Sequence, residues 1–107
     1  MSIDQISVVD AIGIDNTTGN VVLTISDHLK WDKEHLHLLQ EKINTYLVFV
    51  ESGELIDSYP DARGRKVTIN VVFKYVPDNN ALKFLSEIDK ILNESGLSFD
   101  CEVAEYN

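Results

Sequence analysis

Apolar and polar residues alternate along the first quarter of this chain in a way that predicts two strands. Ile6 to Asp15 is rich in β-branched residues, and a turn cluster at 16–20 separates it from Val21 to Ser26. Within the second segment every other residue is apolar, the period of a strand with one dry face. The simplest interpretation is a β-hairpin.

Two longer segments show the helical period, and both end in the same three residues, Glu-Ser-Gly. The first begins at a predicted N-cap, Asp32, and runs to about Ser52. Its predicted core face consists of Leu36, Leu39, Ile43, Tyr46, Leu47 and Val50. The second follows the strand-breaking residues 77–80 and ends before Gly96. Its predicted core face consists of Ala81, Phe84, Leu85, Ile88, Ile91 and Leu92.

Three further strands are predicted between and after these helices. Leu55 to Tyr59 is a short one, Lys66 to Val76 is the longest, and a loop at 60–65 joins them. After Gly96 the pattern alternates again, which predicts a final strand with an acidic outer face that carries Asp100 and Glu102.

The predicted order is therefore β-β-α-β-β-α-β in a single α+β domain that spans residues 1–107. Its last six elements match a ferredoxin-like βαββαβ two-layer sandwich with an extra N-terminal strand. Both helices are expected on one face of a mainly antiparallel sheet. The uncovered face would carry Val9, Val22 and Val72, which favours a homodimer, although an antiparallel sheet can also leave one face wet.

Charge and cysteine content narrow the function classes. Eighteen Asp and Glu residues against nine Lys and Arg residues give a net charge of −9, which disfavours nucleic acid and anionic membrane surfaces as partners. Cys101 is the only cysteine, so an internal disulfide and a multi-cysteine zinc site are excluded. The N-terminus lacks a signal-peptide pattern and no apolar stretch has the length of a membrane span, so we expect a cytoplasmic protein.

Three segments together resemble a family of small uncharacterised bacterial proteins. These segments are Val21-Val22-Leu23-Thr24-Ile25-Ser26-Asp27-His28-Leu29-Lys30-Trp31, Leu38-Leu39-Gln40-Glu41-Lys42-Ile43-Asn44 and Tyr59-Pro60-Asp61-Ala62-Arg63-Gly64-Arg65. The resemblance extends over nearly the whole chain and implies a bacterial single-domain protein. It implies no activity, cofactor or catalytic residue, because none of the three segments is a mechanistic motif.

Candidate catalytic and metal-binding residues are sparse. His28, His35 and His37 lie near the start of the first helix, but His35 and His37 would point to different sides of it, so we expect a solvated helix start and no metal site. Asp27 could orient His28 as a base, but no nucleophile completes that arrangement. Phosphate- and dinucleotide-binding motifs are also missing, so we expect neither a cofactor nor an enzyme.

Two surfaces are candidates for binding. Strand polarity in the predicted fold places five residues at one end of the sheet as a recognition patch, namely His28, Trp31, Tyr59, Arg63 and Arg65. The alternative is that Trp31 closes the core while the arginines pair with carboxylates or protect the sheet edge. A second stripe, opposite the core face of the first helix, is a candidate interface and consists of Leu38, Lys42, Thr45 and Phe49.

These observations favour two functions over a third, an enzyme that uses His28. The first is an acidic protein-interaction module, such as an inhibitor or immunity-type partner of a basic protein, because the chain is small, acidic and poor in catalytic motifs. The alternative is a homodimeric module that binds a small ligand or has a regulatory role, since uncovered sheet faces can pair and enclose ligands between protomers.

Overall fold

The computed structural model of this protein describes residues 11–104, which form four strands, three helices and one 3-10 turn. Residues 6–10 of the predicted first strand, including Val9, lie outside the described residues. In chain order the elements are β1 Ala11–Ile14, β2 Val21–Asp27, α1 Lys33–Glu51, α2 Glu54–Ser58, the 3-10 turn Pro60–Ala62, β3 Val67–Phe73, α3 Asn79–Glu94 and β4 Ser98–Val103. Within this described part, no helix is both long and apolar enough to cross a bilayer.

The two long helices begin and end where their sequences predict. The Oδ1 atom of Asp32 accepts from the main-chain N–H of His35, and that of Asp78 accepts from the N–H of Ala81, both at 2.8 Å. Each carboxylate satisfies an amide that has no partner within its helix. After α1 and α3 the chain turns at Gly53 and Gly96, whose φ angles of 88° and 85° favour glycine.

The sheet differs from the predicted ferredoxin-like arrangement. Its order is β1-β2-β3-β4, with β1 antiparallel to β2, and with β2, β3 and β4 mutually parallel. A helix-containing connection joins each parallel strand to the next, as parallel pairing requires. The prediction of a mainly antiparallel ferredoxin-like sheet is therefore wrong, although the mixed helix-and-strand composition is confirmed.

The predicted strand from Leu55 to Tyr59 is the origin of that error. These residues form α2 and the residue that ends it, with Tyr59 N–H donating to the carbonyl of Leu55 at 2.8 Å. A five-residue apolar-polar segment fits a strand and a helical turn equally well by period alone. Without a strand here, β3 becomes the direct successor of β2 and runs parallel to it.

All three helices contribute buried residues to one core on one face of the sheet. Val21, Leu23 and Ile25 of β2 and Ile69, Val71 and Phe73 of β3 belong to this core, together with Leu39 of α1, Leu55 of α2 and Leu85 of α3. The intervening residues of the strands point to the opposite face. Among the described elements no helix packs against that face, which we call the open face.

Candidate functional site

A buried Asp27–His35 pair lies where β2 ends and α1 begins. Nε2 of His35 and Oδ2 of Asp27 are 2.5 Å apart, and at most 1% of either side chain is exposed. Asp27 is the last inward residue of β2, while His35 precedes Leu39 by one turn on the core face of α1. The expected solvated position of His35 is therefore wrong, and its helical spacing from Leu39 is the signal that indicates burial.

The neighbours of this pair define its hydrogen bonds. Nδ1 of His35 lies 3.0 Å from the carbonyl oxygen of Lys30, which can only accept, so Nδ1 carries a hydrogen. Oδ1 of Asp27 accepts from the main-chain N–H of Leu29 at 3.2 Å. One more proton lies between Nε2 and Oδ2, and the pair is neutral overall whichever residue holds it. His28, the expected partner of Asp27, is exposed instead.

Trp31 closes the end of the core beside this pair. Its ring stacks on His35 with centroids 4.0 Å apart and meets Phe73 edge-on at 4.9 Å. Its indole Nε1–H donates to the carbonyl oxygen of Tyr75 at 3.0 Å. Trp31 also lines a cleft of about 320 Å³ between the first turns of α1 and α3, but Lys33 and both capping carboxylates line it too. The charge of this cleft therefore selects no single class of ligand.

The five residues of the predicted recognition patch do not come together. His28 and Trp31 follow the carboxyl end of β2, whereas Tyr59, Arg63 and Arg65 precede the amino end of β3. Because β2 and β3 are parallel, these two groups lie at opposite ends of the sheet. The prediction assumed that Leu55–Tyr59 was a strand parallel to β2. The 60–65 loop would then follow the same end of the sheet as the residues after β2, and the next strand would run in the opposite direction.

Arg65 has a structural role at its end of the sheet. Its Nη1 donates to the carbonyl oxygen of Gly19 at 2.9 Å, and its Nε donates to that of Asp61 at 2.8 Å. The guanidinium therefore joins the loop before β3 to the turn between β1 and β2. Its fixed hydrogen bonds leave it less free to act as an anion clamp.

The candidate interface on α1 is also placed differently from the prediction. Lys42 is fully buried, with its Nζ 5.5 Å from the centroid of the Tyr46 ring. Leu38 and Phe49 are partly buried and pack against the core, and the Thr45 hydroxyl donates to the carbonyl oxygen of Glu41. This stripe is therefore not an exposed surface separate from the core face.

The open face carries a polar concavity of about 440 Å³, which we call the acidic groove. It extends from the turn between β1 and β2, across β2 and β3, to β4. Its lining residues are Asp15, Thr18, Asn20, Val22, Thr68, Asn70, Asp100 and Glu102, together with Cys101 between the last two. Three carboxylates line it, and none of its described lining residues is Lys, Arg or His, so the local charge of this lining is negative.

Sheet register explains why these groups meet. Asn70 of β3 pairs with Thr24 on one side and Asp100 on the other, and Val72 pairs with Glu102. Side chains at paired positions share a face, so Asp100 and Glu102 lie beside the outward residues of β3. The alternating pattern of β4 predicted their outward direction, whereas their neighbours depend on the strand order.

Polar groups in the groove are available for a ligand. Asp15 is partly occupied, since its Oδ1 accepts from Thr17 N–H at 2.7 Å within the turn. In the described part of the chain, Asp100 and Glu102 have no hydrogen bond or ion pair, and neither has the Thr68 side chain, although only 6% of Thr68 is exposed. No buried side-chain nitrogen or oxygen atom of the described residues lacks a hydrogen-bond partner, so the Thr68 hydroxyl, which has none, keeps access to solvent from the groove and is open to a ligand.

The groove offers a ligand acceptor oxygens and negative charge. The Cys101 thiol does not point into the groove, because register with the inward residue Val71 places it on the face of the helices. Partial burial, and then the nearby Asp100 and Asp89 carboxylates, raise its pKa above the ordinary value, so it is a weak nucleophile at neutral pH. Across residues 11–104 there is no cluster of His, Cys, Asp and Glu with the geometry of a metal site. What the groove provides is a set of oxygen acceptors beside negative charge, which favours ligands that donate hydrogen bonds and carry positive charge.

Comparisons with known proteins agree with the resemblance noted in the sequence. Comparisons with curated proteins and with solved structures gave no match. A protein-family model matches residues 1–105, and its description is a family of unknown function, DUF6572. Because that match covers nearly the whole chain, this protein belongs to the family of unknown function DUF6572.

Proposed function

We propose that this protein is a non-enzymatic interaction module that binds a cationic partner protein through the acidic groove. The observation that carries the proposal is that Asp100 and Glu102, which have no ion pair among the described residues, line one groove with the solvent-accessible hydroxyl of Thr68. All three lie on the sheet face that no described helix covers. Such a face is available to a partner.

Lysine and arginine side chains are the protein groups that match this lining. An ammonium or guanidinium group donates hydrogen bonds, and its positive charge is opposite to that of the carboxylates. The Asn70 amide and the Thr68 hydroxyl supply further acceptors. A volume of about 440 Å³ holds more than one such side chain. The shape and charge of the groove therefore favour a basic segment over a single ion.

The charge of the whole chain supports the same class of partner. A net charge of −9 repels nucleic acid and attracts a basic protein over a distance set by the ionic strength. An inhibitor or an immunity-type protein that covers a basic surface would use this combination of small size and acidic face. Within this proposal the protein acts in the bacterial cytoplasm, as the sequence predicts.

Titration with a short oligo-lysine peptide, followed by the amide NMR signals of the protein, tests the proposal. We expect shifts to concentrate at Thr68, Asn70, Asp100 and Glu102. The double variant Asp100→Asn, Glu102→Gln should weaken binding about tenfold, since each exposed charge pair contributes up to about 1 kcal/mol.

The matched control is the double variant Glu54→Gln, Asp57→Asn on α2. It also removes two negative charges, but at positions outside the groove. This control should change the affinity less than about twofold. Equal weakening by both double variants would mean that the peptide responds only to net charge. In that case the groove would not be the binding site.

A further inference from the structure

β4 forms one edge of the sheet and has the most exposed strand surface in the described chain. Among the strands of residues 11–104 it pairs with β3 only, and its last four residues, 100–103, are all exposed. An exposed edge presents unpaired main-chain donors and acceptors to any strand that can approach it.

The hydrogen bonds to β3 show which main-chain groups of β4 are free. Ala104 N–H donates to the carbonyl oxygen of Phe73 at 2.7 Å, so Ala104 faces β3. Main-chain groups alternate in direction along a strand, which also places Asp100 and Glu102 toward β3. The N–H and C=O groups of Cys101 and Val103 consequently point away from the sheet.

The side chains of this edge alternate in chemistry as well. Asp100 and Glu102 lie on the open face, where they line the acidic groove. Register pairs Cys101 with Val71 and Val103 with Phe73, which places these two on the face of the helices. A strand added here would therefore meet carboxylates on one face and apolar residues on the other.

We propose that the cationic partner binds by adding an extended segment to the β4 edge as a fifth strand. Basic residues of that segment alternate with apolar ones, so that the basic side chains reach Asp100 and Glu102 while the apolar side chains cover Val103. This inference rests on the proposed function and specifies how the partner is recognised.

A second copy of this chain is a poorer occupant of the same edge. Pairing of β4 with another β4 would place Asp100 and Glu102 of one copy beside the same carboxylates of the other. Like charges at neighbouring cross-strand positions are destabilising. The alternating acidic residues therefore select a basic strand over self-pairing.

The test compares two synthetic peptides of identical composition, one with lysine and valine alternating and one with the lysines grouped in a block. Binding of the alternating peptide should slow hydrogen exchange at the outward amides of Cys101 and Val103 by at least about tenfold. The amides of Asp100 and Glu102 already face β3, so their exchange should change much less. The alternating peptide should also bind about tenfold more tightly than the block peptide.

Cys101→Pro is the matched protein variant, because it removes an outward N–H that β3 does not use, and proline is tolerated at such an edge position. We expect it to weaken the alternating peptide about tenfold and to leave the block peptide nearly unchanged. If Cys101→Pro does not fold, the peptide can be changed instead. N-methylation of alternate peptide nitrogens removes the main-chain N–H groups that would pair with β4, and it should weaken binding to the same extent.

The outcomes separate the two proposals. If both peptides bind equally and the Cys101 and Val103 amides stay unprotected, strand addition is wrong and charge recognition by the groove remains. If neither peptide binds, the groove itself is not a site for cationic segments, and both proposals are wrong.

Discussion

At the scale of single residues, the buried Asp27–His35 pair is a clear case of two side chains whose contributions to stability depend on each other. Each satisfies the other in a region that solvent does not reach, and Leu29 and Lys30 satisfy their remaining polar atoms. The energetic value of the pair therefore depends on both members being present.

His35→Leu should lower the free energy of unfolding by about 3–5 kcal/mol, because it leaves Oδ2 of the buried Asp27 carboxyl without its partner. The double variant Asp27→Val, His35→Leu should cost much less than the sum of the two single changes. Urea titration of the three variants measures this coupling. His28→Leu is the exposed control and should change the stability by no more than about 0.5 kcal/mol. Additive single costs would show that the two side chains are energetically independent.

Sequence periodicity predicted the inward direction of most core residues but not the partner of Asp27. His28 is adjacent to Asp27 in sequence, whereas His35 meets it only because α1 folds back over β2. His35 lies one turn before Leu39, so its burial was readable from the helical pattern. The hydrogen bond that makes this burial tolerable depends on the tertiary structure, which the pattern does not contain.

At the scale of elements, α3 offers a direct test of the face that packs on the sheet. Leu85 is 5% exposed and Leu82, on the same helix, is 53% exposed. Leu85→Ala should therefore lower the free energy of unfolding by about 2–5 kcal/mol through lost burial and a cavity. Leu82→Ala, the same chemical change on the outer side, should cost less than about 1 kcal/mol. A neutral Leu85→Ala in urea titration would contradict this packing.

The boundaries of long elements were predictable, whereas the direction of the strands was not. Capping carboxylates at Asp32 and Asp78 and glycines after each long helix fix those boundaries through local hydrogen bonds and local backbone conformation. The segment from Leu55 to Tyr59 has too few residues for its period to distinguish a turn of helix from a strand. If this segment were a strand, β3 would run antiparallel to β2, and Trp31 and Arg63 would lie at the same end of the sheet. Because it is a helix, β3 runs parallel to β2 and the two residues lie at opposite ends.

The acidic groove shows the same limit on sequence reasoning. Asp100 and Glu102 alternate with apolar residues, so their outward direction was predictable. Their position beside Thr68 and the turn near Asp15 follows from the strand order, which was wrong in the prediction. The alternating pattern within β4 predicted which face carries the charges. The pairing of β4 with β3, and of β3 with β2, determined which side chains lie next to them.

At the scale of the whole molecule, the net charge of −9 makes ionic strength a diagnostic variable. A complex with a basic partner should weaken as salt rises, because screening removes the attraction. The homodimer predicted from the uncovered sheet face should respond in the opposite direction, because salt would screen repulsion between two acidic faces. Sedimentation at micromolar concentration over a range of salt tests this. A single species near 12.1 kDa at every salt concentration would contradict the homodimer.

The agreement between strand order and chain order has a consequence for synthesis and folding. Each strand from β2 onward pairs with the strand that immediately precedes it in the chain. As the chain leaves the ribosome, each new strand from β2 onward meets an edge that is already in place. Until β4 arrives, the apolar β3 is the exposed edge and the most aggregation-prone surface. Completion of β4 replaces that edge with an acidic one, so the proposed partner-binding edge exists only in a chain that has finished building its sheet.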